Sequence, residues 1–154
     1  MGLGVDAISL CDPTASGSLI SKEYFERFSL PYIKDCDKII KKHGGVDILH
    51  ICGDTSDRLD MIASVKAQIF SVDYQVDLKT AFENIGKVQA ILGNVRPAHA
   101  LYSGTPEMCL EESLACIDKG KGHRFFLGAG CDIPPGSPEE NVMMMRRAVE
   151  TRKG

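Results

Sequence analysis

No run of apolar residues in this chain approaches the roughly 20 that a membrane-spanning helix needs. The opening stretch, MGLGVDAISL, has no positively charged segment ahead of its apolar residues, so it does not read as a secretory signal. Position 6 is Asp6, where an N-myristoylation signal needs Ser or Thr. There is no basic excess: 18 Lys and Arg stand against 21 Asp and Glu, for a net charge of -3. That balance excludes the electrostatic footprint of a nucleic-acid binder. There is no Cys-x-x-Cys, which argues against a thioredoxin-like redox site. No internal repeat, low-complexity tract or long linker divides the 154 residues, so one domain is expected. Together these absences point to a cytoplasmic setting.

What is present is an ordinary soluble composition, 44% hydrophobic and 25% charged. It includes six cysteines: Cys11, Cys36, Cys52, Cys109, Cys116 and Cys131. In a chain of this size without an export signal they are expected to be reduced. The lysines of KIIKKHGG and DKGKGHR fall at helix ends, where they offset the macrodipole as solvated surface.

Short runs rich in β-branched and apolar residues recur: VDAISL (5–10), VDILHI (46–51), QIFSVD (68–73), VQAILGN (88–94) and RFFLGA (124–129). Helically spaced stretches lie between them. Tyr24, Phe25, Phe28, Tyr32, Ile33, Cys36, Ile39 and Ile40 form the first, with Pro31 placed to kink or divide it. Met108, Cys109, Leu114, Ala115 and Ile117 mark another, and Val142, Met145 and Val149 share one face of the last. Ser21, Thr105 and Ser137 are candidate N-caps, the last with Pro138 next and Glu140 completing a capping box. The HGG sequence is expected to end the first helical region. Strands alternating with helices imply an α/β fold with a parallel sheet, either an open doubly wound sheet or part of a (β/α)8 barrel. A whole (β/α)8 barrel takes roughly 250 residues, so this chain is too short for one.

Side chains at i and i+2 of a strand point the same way. His50 and Cys52 of LHICG therefore project together, at the C-terminal end of their strand, where parallel α/β folds build their sites. Taken alone, the pair is slightly better explained as ordinary packing. Cys131 changes the balance: it follows FFLGAG, at the end of the last β-run, in the glycine- and proline-rich loop GAGCDIPPG. Two thiolates and an imidazole suit zinc, and three protein ligands leave a fourth position open.

These stretches resemble the uroporphyrinogen decarboxylase superfamily, and within it the zinc-dependent, corrinoid-linked methyltransferases of the methylcobamide:coenzyme M type. The matching segments are GVDAISLCDPTAS, FERFSLPYIK, LHICGDTSDRLDMI, FSVDYQVDL, ILGNVRP, SGTPE and GAGCDIPPGSPEEN, in the family's order. The resemblance implies the C-terminal part of a (β/α)8 TIM barrel, about five parallel strands alternating with helices, as a single partial-barrel domain over residues 1–154. It implies Zn2+ on His50, Cys52 and Cys131. It also implies methyl transfer between a corrinoid carried by a partner protein and a small thiol or methyl-ether substrate. Exposed sheet edges would be covered by self-association, hence a homo-oligomer.

Asp12 and Asp73 each end a β-run and serve equally as turn caps or as groups that hold substrate or orient His50. Asn94 is a turn residue first and a substrate-binding donor second. Cys11 is a stray candidate ligand. His43, His99 and His123 read as surface, Cys36, Cys109 and Cys116 read as core, and the methionines of VMMMRR read as packing rather than a metal box. Two other readings stay open: a metal-free decarboxylase-like enzyme acting on a tetrapyrrole, and an inactive barrel fragment that only oligomerises or binds a partner.

Overall fold

The computed structural model describes residues 4–152. The N-terminal Met-Gly, on which the reading of a missing lipidation signal partly rests, lies outside them. Five strands form one sheet: β1 (Ala7–Cys11), β2 (Val46–His50), β3 (Ile69–Ser71), β4 (Ala90–Val95) and β5 (Phe125–Ala129). They lie side by side in sequence order, every neighbouring pair parallel. Each strand returns to the next through helix, as in five consecutive units of a (β/α)8 barrel. The connections are α1 (Lys22–Phe28), α2 (Leu30–Lys42), α3 (Leu59–Val65), α4 (Leu78–Asn84) and α5 (Pro106–Lys119), with α6 (Glu139–Thr151) after the last strand. No helix among the described residues is long and apolar enough to cross a membrane.

The pleat gives the sheet two unlike faces. Leu49, Phe70 and Ile91 point outward to the helices and are almost wholly buried. There they join Phe25, Ile62, Val65, Ala81, Phe82 and Cys109 in the main core. Ser9, Ile48, Ser71 and Leu92 point the other way and line an open cleft. Among the described residues, the outer strands β1 and β5 each have a neighbour on one side only.

The helix starts follow local chemistry. Ser21 Oγ accepts from Tyr24 N (3.2 Å), and Thr105 Oγ1 accepts from Met108 N (3.3 Å), with Pro106 in the first turn. The break before Pro31 divides the first helical stretch into α1 and α2 at Ser29. The HGG ending is as expected, with Gly44 at φ +73°. Three expectations need correcting. Ser137 is not the cap of α6; its hydroxyl donates to Pro134 O (2.8 Å), and Pro138 takes the extended cap position instead. Cys36 lies on the exposed side of α2, whereas Cys109 and Cys116 are buried as expected. Helices α3 and α4 add two elements that the periodicity did not single out.

Candidate metal centre

The sheet's C-terminal end is where the inner-facing polar residues gather. Leu49 and Ile51 bury themselves outward at 1% and 0% exposure, so the pleat turns His50 and Cys52 inward together. His50 is itself buried, in register with Cys11 on β1 and Ser71 on β3. Its Nδ1 lies 2.9 Å from Ser71 O. A carbonyl only accepts, so the ring proton sits on Nδ1 and the Nε2 lone pair is free. Cys52 Sγ is 3.3 Å from that Nε2, and Cys131 Sγ is 3.6 Å from Cys52 Sγ.

Backbone contacts hold each cysteine in place. After Cys52 the chain turns at Gly53, whose φ of +87° favours glycine. Gly53 N donates to Asp73 Oδ2 (2.8 Å), and Gln75 N donates to Asp73 Oδ1 (2.9 Å). Ahead of Cys131, Gly130 N donates to Val95 O (2.8 Å) while Gly130 O accepts from Tyr74 N (3.2 Å). A Cβ on Gly130 would stand 2.5 Å from Tyr74 N, so no larger residue fits without moving the loop. The last strand's exit is thereby pressed against the β3–α4 loop, and Cys131 is delivered to Cys52.

The three donor atoms of His50, Cys52 and Cys131 lie within 4.8 Å of one another. A tetrahedral zinc bonded at 2.0–2.3 Å spaces its ligand atoms by roughly 3.6–3.8 Å. The observed 3.3 and 3.6 Å are close to that, so these residues fit such an ion. Without one, burial first and the neighbouring Cys131 thiol second push Cys52 up to about 11. In front of the trio is a cleft of about 260 Å³ whose walls include Cys11, Ile48, Leu92 and Asp132.

The other candidates lie nearby with different partners. Asp12 accepts from the Thr14 hydroxyl in its own loop and from the Ser29 hydroxyl at the α1–α2 junction. Asp73 is buried and spends both oxygens on backbone N–H groups. Neither carboxylate is hydrogen-bonded to the His50 ring, whose Nδ1 meets the Ser71 carbonyl instead, a contact that side-chain types cannot signal. Asn94 faces α5: its amide donates to Asp73 O (3.1 Å) and Val76 O (2.8 Å), and Cys116 Sγ lies 3.8 Å from its oxygen. A separate cleft of about 350 Å³ adjoins it, crossed by the Arg96–Glu112 ion pair. His43 and His99 are exposed, and His123, also exposed, stacks on Phe82 with ring centroids 4.3 Å apart.

A family model described as Uroporphyrinogen decarboxylase (URO-D) matches residues 1–152. A methylcobamide:CoM methyltransferase of Methanosarcina acetivorans is 37% identical over 97% of this chain and 43% of its own length. A methylated-thiol–coenzyme M methyltransferase of Methanosarcina mazei is 34% identical over 94% of the chain and 38% of its own. A uroporphyrinogen decarboxylase of Synechococcus is 32% identical over 94% of the chain and 40% of its own. Among solved structures, a methyltransferase from Methanosarcina mazei superposes with a TM-score of 0.89 at 28% identity, over 98% of this chain and 43% of that one. The chain thus spans less than half the length of the relatives it matches, and its five units are a partial barrel.

Proposed function

The chain belongs to the uroporphyrinogen decarboxylase (URO-D) family, and from that premise we propose that His50, Cys52 and Cys131 hold one zinc ion in a centre for methyl transfer. The transfer would run between a corrinoid on a partner protein and a small thiol or methyl-ether substrate. The observation that carries this reading is the convergence of one imidazole and two thiols, from two distant strand ends, at 3.3 and 3.6 Å. The names of the methyltransferase relatives favour it over a metal-free decarboxylase.

Zinc bound there would supply Lewis acidity, favouring the thiolate form of a thiol or polarising an ether oxygen. The chain's own residues do the rest. The Ser71 carbonyl holds the His50 proton on Nδ1 and keeps Nε2 available. Asp73 fixes Gly53, and so the backbone that carries Cys52. Ile48 and Leu92 give the cleft an apolar floor. Asp12 and Asp73 are two of the carboxylates at the C-terminal end of the sheet, and Asn94 holds the β3–α4 loop from behind. Three protein ligands leave one position for the substrate.

The other barrel units would complete the pocket and the docking face for the corrinoid protein. The unpaired edges of β1 and β5 support self-association of the isolated chain.

Metal content of the purified chain, measured by elemental mass spectrometry beside a Cys131→Ser variant, tests the reading. About one zinc per chain is expected, as for an open three-ligand site, with its loss in the variant. Folded protein that binds no zinc from a buffered solution, or a variant that keeps its full complement, would overturn it.

A further inference from the structure

Arg58 is the largest fully buried side chain among the described residues, at 0% exposure. It opens α3, just after the segment that follows Cys52. Its Nη1 donates to Ala15 O (2.8 Å) and its Nη2 to Ile20 O (2.9 Å). Asp57 takes Nε at 2.8 Å and Nη2 at 3.1 Å, so the charge is paired. The guanidinium carbon lies 5.3 Å from the centre of the Phe25 ring. A planar fork can reach two carbonyls and a carboxylate at once; an ammonium on a flexible stem cannot.

The two carbonyls bracket the middle of the β1–α1 loop, and that middle rests on the residues next to Cys52. Gly17 N donates to Asp54 O (2.7 Å), and Asp54 N donates to Ser18 Oγ (3.4 Å). A Cβ on Gly53 would stand 3.0 Å from Ser16 Oγ, so the loop lies directly over that turn. We propose that Arg58 is a positioning residue of the metal centre: it fastens the 15–20 loop, which clamps Gly53 and Asp54 and so sets Cys52 Sγ against His50 Nε2. This rests on the reading of His50, Cys52 and Cys131 as metal ligands. It deepens that reading by assigning the part of the molecule that holds the site in shape before a metal arrives.

The test uses Arg58→Lys, Gly17→Ala and a control. In Gly17→Ala the new Cβ would meet Asp54 O at 3.0 Å and Arg58 Nη2 at 3.3 Å, which loosens the same contact without removing the guanidinium. The control is Phe82→Leu, a core ring that packs on Phe125 and His123, with urea used to match its thermal stability to that of Arg58→Lys. Two quantities are read: Co2+ affinity, from the thiolate-to-cobalt absorption, and deuterium uptake over residues 51–55 of the metal-free chain. Both loop variants are expected to weaken Co2+ binding by about tenfold or more, the usual effect of losing a group that orients a ligand. They are also expected to raise uptake over 51–55, while the stability-matched control changes neither. Loop variants that track the control in both readouts would overturn the role of Arg58. An unaltered chain that takes up no Co2+ would instead overturn the metal reading, and the uptake measurement on metal-free protein would still decide for or against the clamp. If Arg58→Lys does not fold, Gly17→Ala carries the comparison.

Discussion

On the outer face of the sheet, Phe70 and Ile91 are 0% exposed beneath the helices, whereas on the inner face of β5 Phe126 keeps 51% of its surface in solvent. Both phenylalanines sit on strands of one sheet. They differ in what covers them: helices lie over the outer face, whereas among the described residues the inner face of β5 is left open to solvent. The candidate metal centre faces the open side, yet its parts are tied to the closed one. His50 leans on the β3 backbone, Gly53 on Asp73, and Cys131 on a loop pinned to Tyr74. A partial barrel can therefore hold one imidazole and two thiols together beside an open cleft.

The largest effect that would break this contrast is expected at Phe70→Ala. Removing a wholly buried ring from the outer core should cost about 3–5 kcal/mol in a urea melt. A loss below about 1 kcal/mol would mean that the helical layer is not the part that stabilises the isolated chain.

Asp47 is one of the buried polar groups on that closed face. It is 1% exposed, exchanges hydrogen bonds with Gln68 through both its N–H and its carboxylate, and lies beside Asp37 of α2. Asp37 in turn is 2.7 Å from Lys41 Nζ. Burial first and Asp37 second push Asp47 up to about 6. A carboxyl raised above its unfolded value binds its proton more tightly when folded. Its contribution is therefore complete below about pH 4 and is lost as pH rises through about 6. The whole swing is at most about 3 kcal/mol. Urea melts at pH 4 and pH 7 should show a fall with pH in the parent chain that Asp47→Asn largely removes. Equal pH dependence in the two proteins would remove Asp47 as the cause.

Much of this was legible from periodicity, because alternation at two and at three to four residues survives any tertiary context. The five strands and the helices at 30–42, 106–119 and 139–151 carry enough repeats to be seen. Helices α3 and α4 have seven residues each, barely two turns, and too few repeats to stand out. The Ser137 cap was misplaced because the backbone of Pro138 stays extended, so the helix starts one residue later. His50, Cys52 and Cys131 were visible because strand parity and strand ends are local facts. Their supports were not, since Ser71 acts through a carbonyl and Gly130 through its lack of a Cβ. Arg58 carried no signal at all: an arginine in a polar segment reads as surface, and only the folding of the 15–20 loop over it makes it core.

The smallest effect is the one that sharpens the contrast most. Leu92 and Phe126 are partners in register and face the open side, so truncating Phe126 removes little that the isolated chain has buried. Phe126→Ala should cost the chain no more than about 1 kcal/mol, since half of the ring is already in water. The same substitution in a protein that carries all eight units would remove a ring covered on both sides, at about 3–5 kcal/mol. The difference between those two melts measures how much of the inner wall the rest of the barrel supplies. Equal losses in the two proteins would mean that the inner face of β5 stays open even in the complete barrel, and that the cleft before Cys131 is bounded by this chain alone.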